Sequence, residues 1–460
     1  MARAGSLSLL AAGLAGLLAC SFSREFKVRP HELNHPLPGG LVNSFNVEEQ
    51  LARGFVPEVL EFLSGAQGKS LDSTRFARFL GQALLERGDF RGCRPHLERA
   101  FAEEGRGAER GELAWLLSQS FYWTGEFKDA ASWARRAQAE GRRVPNGWVV
   151  FLLSEPPDGI YVGTQPGTRF MVPMAFGRPN LPRVGVKVND RPAEDLVLDS
   201  GASLSLLTES AAHRLGVEPV PGAVTGAYGL HRVEIPLQLG WARVVKIGGL
   251  TLRNVPFGIL ADDALSFQTA IAGALTFSGV LGAHMMKELD WRLEFQQNRL
   301  YAVRLDPARP RGSTRQNIFF RRMKPMVRAS FNQEPWSLFL LDTGSEPTMV
   351  TRLGLKRARA DDVAPTLPQT LEGIGKSRVS WGKVSNITIG VDRFMVRFRD
   401  VIVKEEGEGI EDGVLGASFF SNFDVEIRFD SMTLGLENPL LRRLQEAEPA
   451  VMLPSQPPPA

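Results

Sequence analysis

Between residues 45 and 150, apolar positions recur at intervals of three and four, the period of one buried face of an α-helix. From Ile160 to about Leu436 the pattern changes to short runs of Val, Ile, Leu, Phe and Thr broken by Gly, Pro, Asn and Asp, which predicts many short strands joined by tight turns. Ser154-Glu155-Pro156-Pro157 closes the helical part. Residues 21–44 read as a linker, and residues 439–460, ending in Pro-Ser-Gln-Pro-Pro-Pro-Ala, as a disordered tail. At 460 residues the chain is too long for one compact core, so the patterning predicts a multidomain protein, α first and then mostly β.

The helical segment, 45–153, repeats. Gly54, Gly88 and Gly125 occupy similar settings at spacings of 34 and 37 residues, and Ala77, Leu80, Gly81 and Leu84 precede Gly88 as Ala114, Leu117, Ser118 and Phe121 precede Gly125. Cys93 falls where the next copy has Ala130, which predicts a buried structural thiol. Pro95 interrupts the second helix of its copy. A period near 34 is similar to that of tetratricopeptide repeats, paired helices that stack because no single pair buries its own apolar face. That resemblance implies a surface for a protein partner; no chemistry is visible in the segment.

The β segment is duplicated. Leu196-Val197-Leu198-Asp199-Ser200-Gly201-Ala202 and Phe339-Leu340-Leu341-Asp342-Thr343-Gly344-Ser345 each run an apolar strand into Asp-[Ser/Thr]-Gly. About thirty residues on lie two glycine-tipped hairpin signals, Gly226-Ala227-Tyr228-Gly229 and Gly373-Ile374-Gly375. Gly248 and Gly390 follow the aspartates by 49 and 48 residues, and Gly-Val-Leu-Gly-Ala occurs at 279–283 and again at 413–417. Four elements in one order, twice, mark two homologous β lobes, 158–305 and 306–438.

These motifs resemble the aspartic peptidases, the short lobes being most similar to retropepsin-like ones; two in one chain imply a pepsin-like pseudo-dimer. The resemblance implies an endopeptidase with Asp199 and Asp342 as catalytic pair, supported by Ser200, Gly201, Thr343, Gly344 and Ser345. The hairpins (Gly226, Tyr228, Gly229; Gly373, Ile374, Gly375) would close over an extended protein or peptide substrate. Two adjacent carboxylates cannot both ionise, so one proton is shared, and the pair can activate a water without metal, cofactor or covalent intermediate. Ser345, where the first lobe has Ala202, is read as a hydroxyl donor that lowers the dyad's pKa and moves the optimum to the acid side. Asp290 and Asp424 read as turn or cap residues, and His213, His231 and His284 as local features. Glu346-Pro347, directly after Ser345, keeps open a non-catalytic scaffold that binds peptides or partners.

Composition narrows the partners. The formal charge is only +3, with Lys and Arg scattered, so no nucleic-acid surface is visible. Residues 1–20 read as a signal segment: Arg3, an apolar run from Leu7 to Ala19 too short to span a bilayer, and Leu17-Leu18-Ala19-Cys20. That tetrapeptide resembles the bacterial lipobox, which implies lipid on Cys20 and a membrane-anchored body in the cell envelope, with Ser21 pointing to the outer membrane and a periplasmic or surface face. Cys93 then has no partner in the chain. His31-Glu32-Leu33-Asn34-His35 fits a zinc-peptidase pattern, but Pro36, Pro38, Gly39 and Gly40 end any helix there, so no metal site is expected.

Overall fold

The computed structural model describes residues 42–439 except 66–67, 69, 155, 157–160, 177–180, 229–233, 270–272, 307–315, 333, 359, 361–363, 366–381, 393 and 405–410. Cys20, the 31–35 motif, Gly229, His231 and Gly373 to Gly375 lie outside the described residues. Helices come first, followed by a β-rich region of two lobes.

In the helical region, Ser73–Glu86 packs on Arg94–Glu103, Ala108–Trp123 on Phe127–Ala139, and Asn146–Leu153 follows. The repeat glycines explain the turns. Gly54, Gly88 and Gly125 have φ of 82°, 85° and 80°. In each turn the next residue's N–H donates to the carbonyl five positions back: Phe55 to Gln50, Asp89 to Leu84, Glu126 to Phe121, at 2.9–3.0 Å. This left-handed C-terminal closure suits glycine, which carries no Cβ penalty there. Pro95 does not interrupt a helix. The helix starts at Arg94, so Pro95 sits in its first turn, where a missing N–H costs no intrahelical bond. Cys93 is fully buried, and burial pushes its thiol up to about 12, which leaves it inert.

The helical region is fused to the lobes through one continuous core. Against the second lobe, the Arg321 guanidinium donates to the carbonyls of Leu51 and Ala52 and pairs with Glu86, and Arg328 pairs with Glu58 and donates to Gly54 O at 2.9 Å. Against the first lobe, Asn146–Leu153 packs along the strand Pro219–Tyr228, and Phe151 stacks on Trp241 at 4.3 Å. His284 is buried against the Tyr122 ring (4.5 Å), and burial lowers its pKa to about 3.

Each lobe folds its aspartate strand in the same way. In the first, Glu194–Leu198 runs parallel to Gly279–Leu281, which pairs antiparallel with Ser205–Thr208, itself parallel to Leu250–Leu260. In the second, Glu334–Leu341, Gly413–Leu415, Met349–Thr351 and Phe394–Lys404 repeat that order and those directions. The lobes also share a sheet: Leu289–Glu294 of the first pairs with Asp424–Arg428 of the second, Trp291 opposite Ile427 and Leu293 opposite Val425.

Arg292 sits at the centre of this seam, 2.6 Å from Glu426, 2.7 Å from Glu437, 3.1 Å from Glu294 and 3.6 Å from Asp424. Asp424 is therefore a buried member of an inter-lobe ion-pair cluster and not a turn cap. Asp290 does cap, accepting the N–H groups of Phe429 (2.6 Å) and Asp430 (3.1 Å) across the seam.

Burial and then the neighbouring Asp430 charge push Asp290 up to about 7. For an acid raised above its unfolded value, the stabilising neutral form is present at low pH and lost as pH rises from about 4 through 7. Asp290→Asn should therefore flatten part of the fall in Tm between pH 4 and pH 8. A variant whose Tm stays a constant distance from the parent's across that range would contradict this assignment.

Candidate active site

The parallel strand pairs end at the same level and deliver two loops face to face. Asp199 N–H donates to Leu281 O at 2.9 Å and Asp342 N–H to Leu415 O at 3.1 Å, so each aspartate is tied to its lobe's Gly-Val-Leu strand. The loops are cross-linked by a symmetric set of buried bonds. Ser200 Oγ donates to Leu341 O (2.6 Å) and accepts from Thr343 N–H (3.1 Å), while Thr343 Oγ1 donates to Leu198 O (2.6 Å) and accepts from Ser200 N–H (3.0 Å). Each hydroxyl thus satisfies a carbonyl and an amide of the opposite lobe. A buried carbonyl and amide would otherwise go unpaired.

The glycines complete the exchange. A Cβ on Gly201 would lie 2.5 Å from the Asp342 carboxyl carbon, and one on Gly344 would lie 2.3 Å from that of Asp199. Each glycine therefore makes room for the other lobe's carboxylate. Within its own loop, Asp199 Oδ1 accepts Ala202 N–H (3.0 Å) and Asp342 Oδ1 accepts Gly344 N–H (3.1 Å). Both aspartates are half-buried.

Desolvation raises both carboxyls. For Asp199 it is opposed by the hydrogen bond with Asp342, by the Ala202 and Gly201 amides and by the Lys324 charge. For Asp342 the Asp199 charge and their shared hydrogen bond add to it, and the group is held well above the usual carboxylate range. Two like charges in contact disfavour double ionisation, so the pair retains one proton between them. A retained proton gives one acceptor and one donor side by side.

Residues 184–284 match the aspartyl protease family model. The matched stretch runs from the strand Pro182–Val188 through Asp199, the Tyr228 hairpin and the Gly-Val-Leu-Gly-Ala element, so the similarity to aspartyl proteases covers most of the first lobe. Among solved structures the chain is similar to the aspartic proteinase of Irpex lacteus, at 11% identity over 59% of this chain and 97% of that one, with a TM-score of 0.37. It is also similar to a retropepsin-like aspartic protease of Rickettsia conorii, at 17% identity over 32% of this chain and 96% of that one, with a TM-score of 0.21. No curated protein matches the chain.

The structure brings Asp199, Ser200, Gly201, Asp342, Thr343 and Gly344 together. Gly226 and Tyr228 lie on the outer part of the hairpin Pro219–Tyr228/Glu234–Ile247, with Gly226 opposite Pro236 and Tyr228 opposite Glu234. Ser345 is in the loop but does not serve the carboxylates. Its hydroxyl donates to Pro347 O at 2.9 Å, so the one O–H on which an acid-shifted optimum would rest is committed to the loop's own backbone. Lys324, absent from the sequence reading, bears on both carboxylates; its signal is its strand register, which no local motif carries.

Ser200→Ala and Thr343→Val each leave a buried carbonyl and amide of the opposite lobe without a partner, at a cost of about 1–3 kcal/mol per change. Urea denaturation should show a loss of that size for either variant. If both match the parent's midpoint and slope, the hydroxyl exchange does not hold the lobes together.

Proposed function

We propose that this chain is an aspartic endopeptidase completed by its own two lobes, in which Asp199 and Asp342 act on one water. One carboxylate of the pair is ionised and acts as the base. It takes a proton from a water held between the two, and the oxygen attacks the carbonyl carbon of the scissile peptide. The other carboxyl, carrying the shared proton, donates to the carbonyl oxygen. Collapse of the tetrahedral gem-diol breaks the C–N bond: the protonated carboxyl donates to the leaving nitrogen while one gem-diol hydroxyl gives its proton back to the pair, which ends singly protonated as it began.

One observation carries this reading: each lobe's glycine packs against the other lobe's aspartate, which makes a single group of two carboxylates from residues 143 positions apart. The Pro219–Tyr228 hairpin is the candidate cover for an extended peptide, whose backbone it can bond along its edge. The catalytic unit works as a monomer, and its substrate is a protein or peptide.

Asp199→Asn and Asp342→Asn should each lower cleavage of a denatured protein substrate by on the order of 10³-fold or more, because each change removes one half of an acid–base pair. A single variant with full activity would refute the shared-dyad mechanism. A parent that cleaves nothing between pH 3 and pH 8 would leave the peptide-binding scaffold as the better account.

The remaining parts of the proposal concern placement. Lipid on Cys20 tethers the protein in a bacterial envelope, most simply the outer membrane, and the linker holds the catalytic body in the aqueous phase. The helical region offers a surface of tetratricopeptide type to a partner protein. Its extensive packing on both lobes supports a fixed scaffold beside the cleft over a loosely tethered recruiting arm. An alkyne-labelled fatty acid should be incorporated into the full chain and not into Cys20→Ala; equal labelling of the two would rule out this anchor.

A further inference from the structure

The two lobes match at the dyad itself but differ at the residue facing each aspartate across the preceding hairpin. Lys324–Phe331 pairs antiparallel with Glu334–Leu341, with Met326 opposite Leu340 and Val327 opposite Phe339. Continuing this register two residues past its last pair, Met326 and Leu340, sets Lys324 level with Asp342. In the first lobe the last pair is Arg183 and Val197, and the same continuation sets Leu181 level with Asp199. Residues opposite one another in an antiparallel pair share a face, their Cβ atoms about 5 Å apart. At the level of one aspartate the hairpin thus carries a cation, and at the level of the other a buried leucine.

The hairpin that carries Lys324 is fixed at both ends. Arg322 and Met323 form a two-residue turn with φ of 48° and 61°, between the paired residues Arg321 and Lys324. Arg321 is anchored in the helical region by the Leu51 and Ala52 carbonyls and by Glu86. Lys324 is half-buried at this site. The ionisable groups on the elements bordering it are Asp199, on the first lobe's loop, and Asp342 and Glu346, on the second's. Its own hairpin adds Arg321, committed to Glu86, and Arg322.

We propose that Lys324 is a positioning residue of the site, a built-in cation that biases the charge state of the Asp199–Asp342 pair towards its singly ionised, working form. The inference rests on the peptidase reading for its consequence but not for its physics. The Lys324 charge acts on both carboxylates in the same direction, opposing the desolvation that raises them. A fixed cation about one side chain away offsets burial without quenching the pair, since Lys presents a point charge and not a bidentate fork.

The test compares Lys324→Met and Lys324→Arg with the parent in the full chain. In kcat/KM against pH for a peptide that the parent cleaves, Lys324→Met should move the acid limb upward by on the order of one pH unit. Lys324→Arg, which keeps the charge, should hold the parent's limb. A Lys324→Met limb that coincides with the parent's overturns the proposal while leaving the peptidase reading intact. A second readout does not need activity. Because the cation offsets a cost that grows as the dyad ionises, the Tm gap between parent and Lys324→Met should be wider at pH 7 than at pH 3. That pH dependence should vanish in an Asp199→Asn, Asp342→Asn background. A gap that is the same at both pH values overturns the proposal, and if the parent cleaves no peptide, this series alone decides it.

Discussion

Two carboxylates held in contact and away from bulk water are the constraint from which the rest of this structure follows. Such a pair costs free energy unless a proton is retained between the two, and the surrounding scaffold must resist its tendency to separate or hydrate. The resistance comes from the exchange of hydroxyls between Ser200 and Thr343, each spent on the opposite lobe's backbone at 2.6 Å. It comes also from the glycine contacts, in which any Cβ would strike a carboxylate. Behind the loops, the parallel Gly-Val-Leu strands fix the height of both aspartates, and the inter-lobe sheet around Arg292 fixes the distance between lobes. Single-chain fusion of the lobes permits departures from symmetry that a true homodimer could not make, and Leu181 against Lys324 is one of them.

The helical region is best understood as part of the same body. Its contact with the second lobe combines an apolar cluster, in which helix residues pack on Phe319, Met326 and Leu338, with directional bonds from Arg321 and Arg328 to helix-end carbonyls and buried glutamates. Its contact with the first lobe is aromatic, through Tyr122, Phe127, Phe151, Trp241 and His284. The two contacts meet the lobes at the Arg321 hairpin that ends in Lys324 and at the strand Pro219–Tyr228.

How much of this was legible in the sequence depends on whether the information is local. Asp199 and Asp342 are legible because a strand must run directly into each loop and because the whole set of elements occurs twice. The turns at Gly54, Gly88 and Gly125 are legible because a left-handed backbone selects glycine locally. The place of Pro95 is not legible, because a helix boundary shifted by one or two residues changes proline from a breaker to a favoured first-turn residue. The bond of the Ser345 hydroxyl to Pro347 O is not legible, because only the folded loop brings that acceptor within reach. Asp424 resembles Asp290 in sequence, but its role depends on Arg292 from the other lobe. Lys324 has no motif at all; its place is set by counting along a ladder whose register was unknown until the strands were paired.

The central claim is electrostatic: the two aspartates form one buried pair that keeps a proton. Carboxyl ¹³C NMR across pH 2 to pH 9, with Asp199→Asn and Asp342→Asn variants to assign the signals, tests it directly. The account predicts two well-separated steps, the second above the ordinary carboxylate range, and a fall in the remaining group's pKa when either partner is neutralised to asparagine. Two independent transitions near the ordinary aspartate value, unchanged by either substitution, would contradict it.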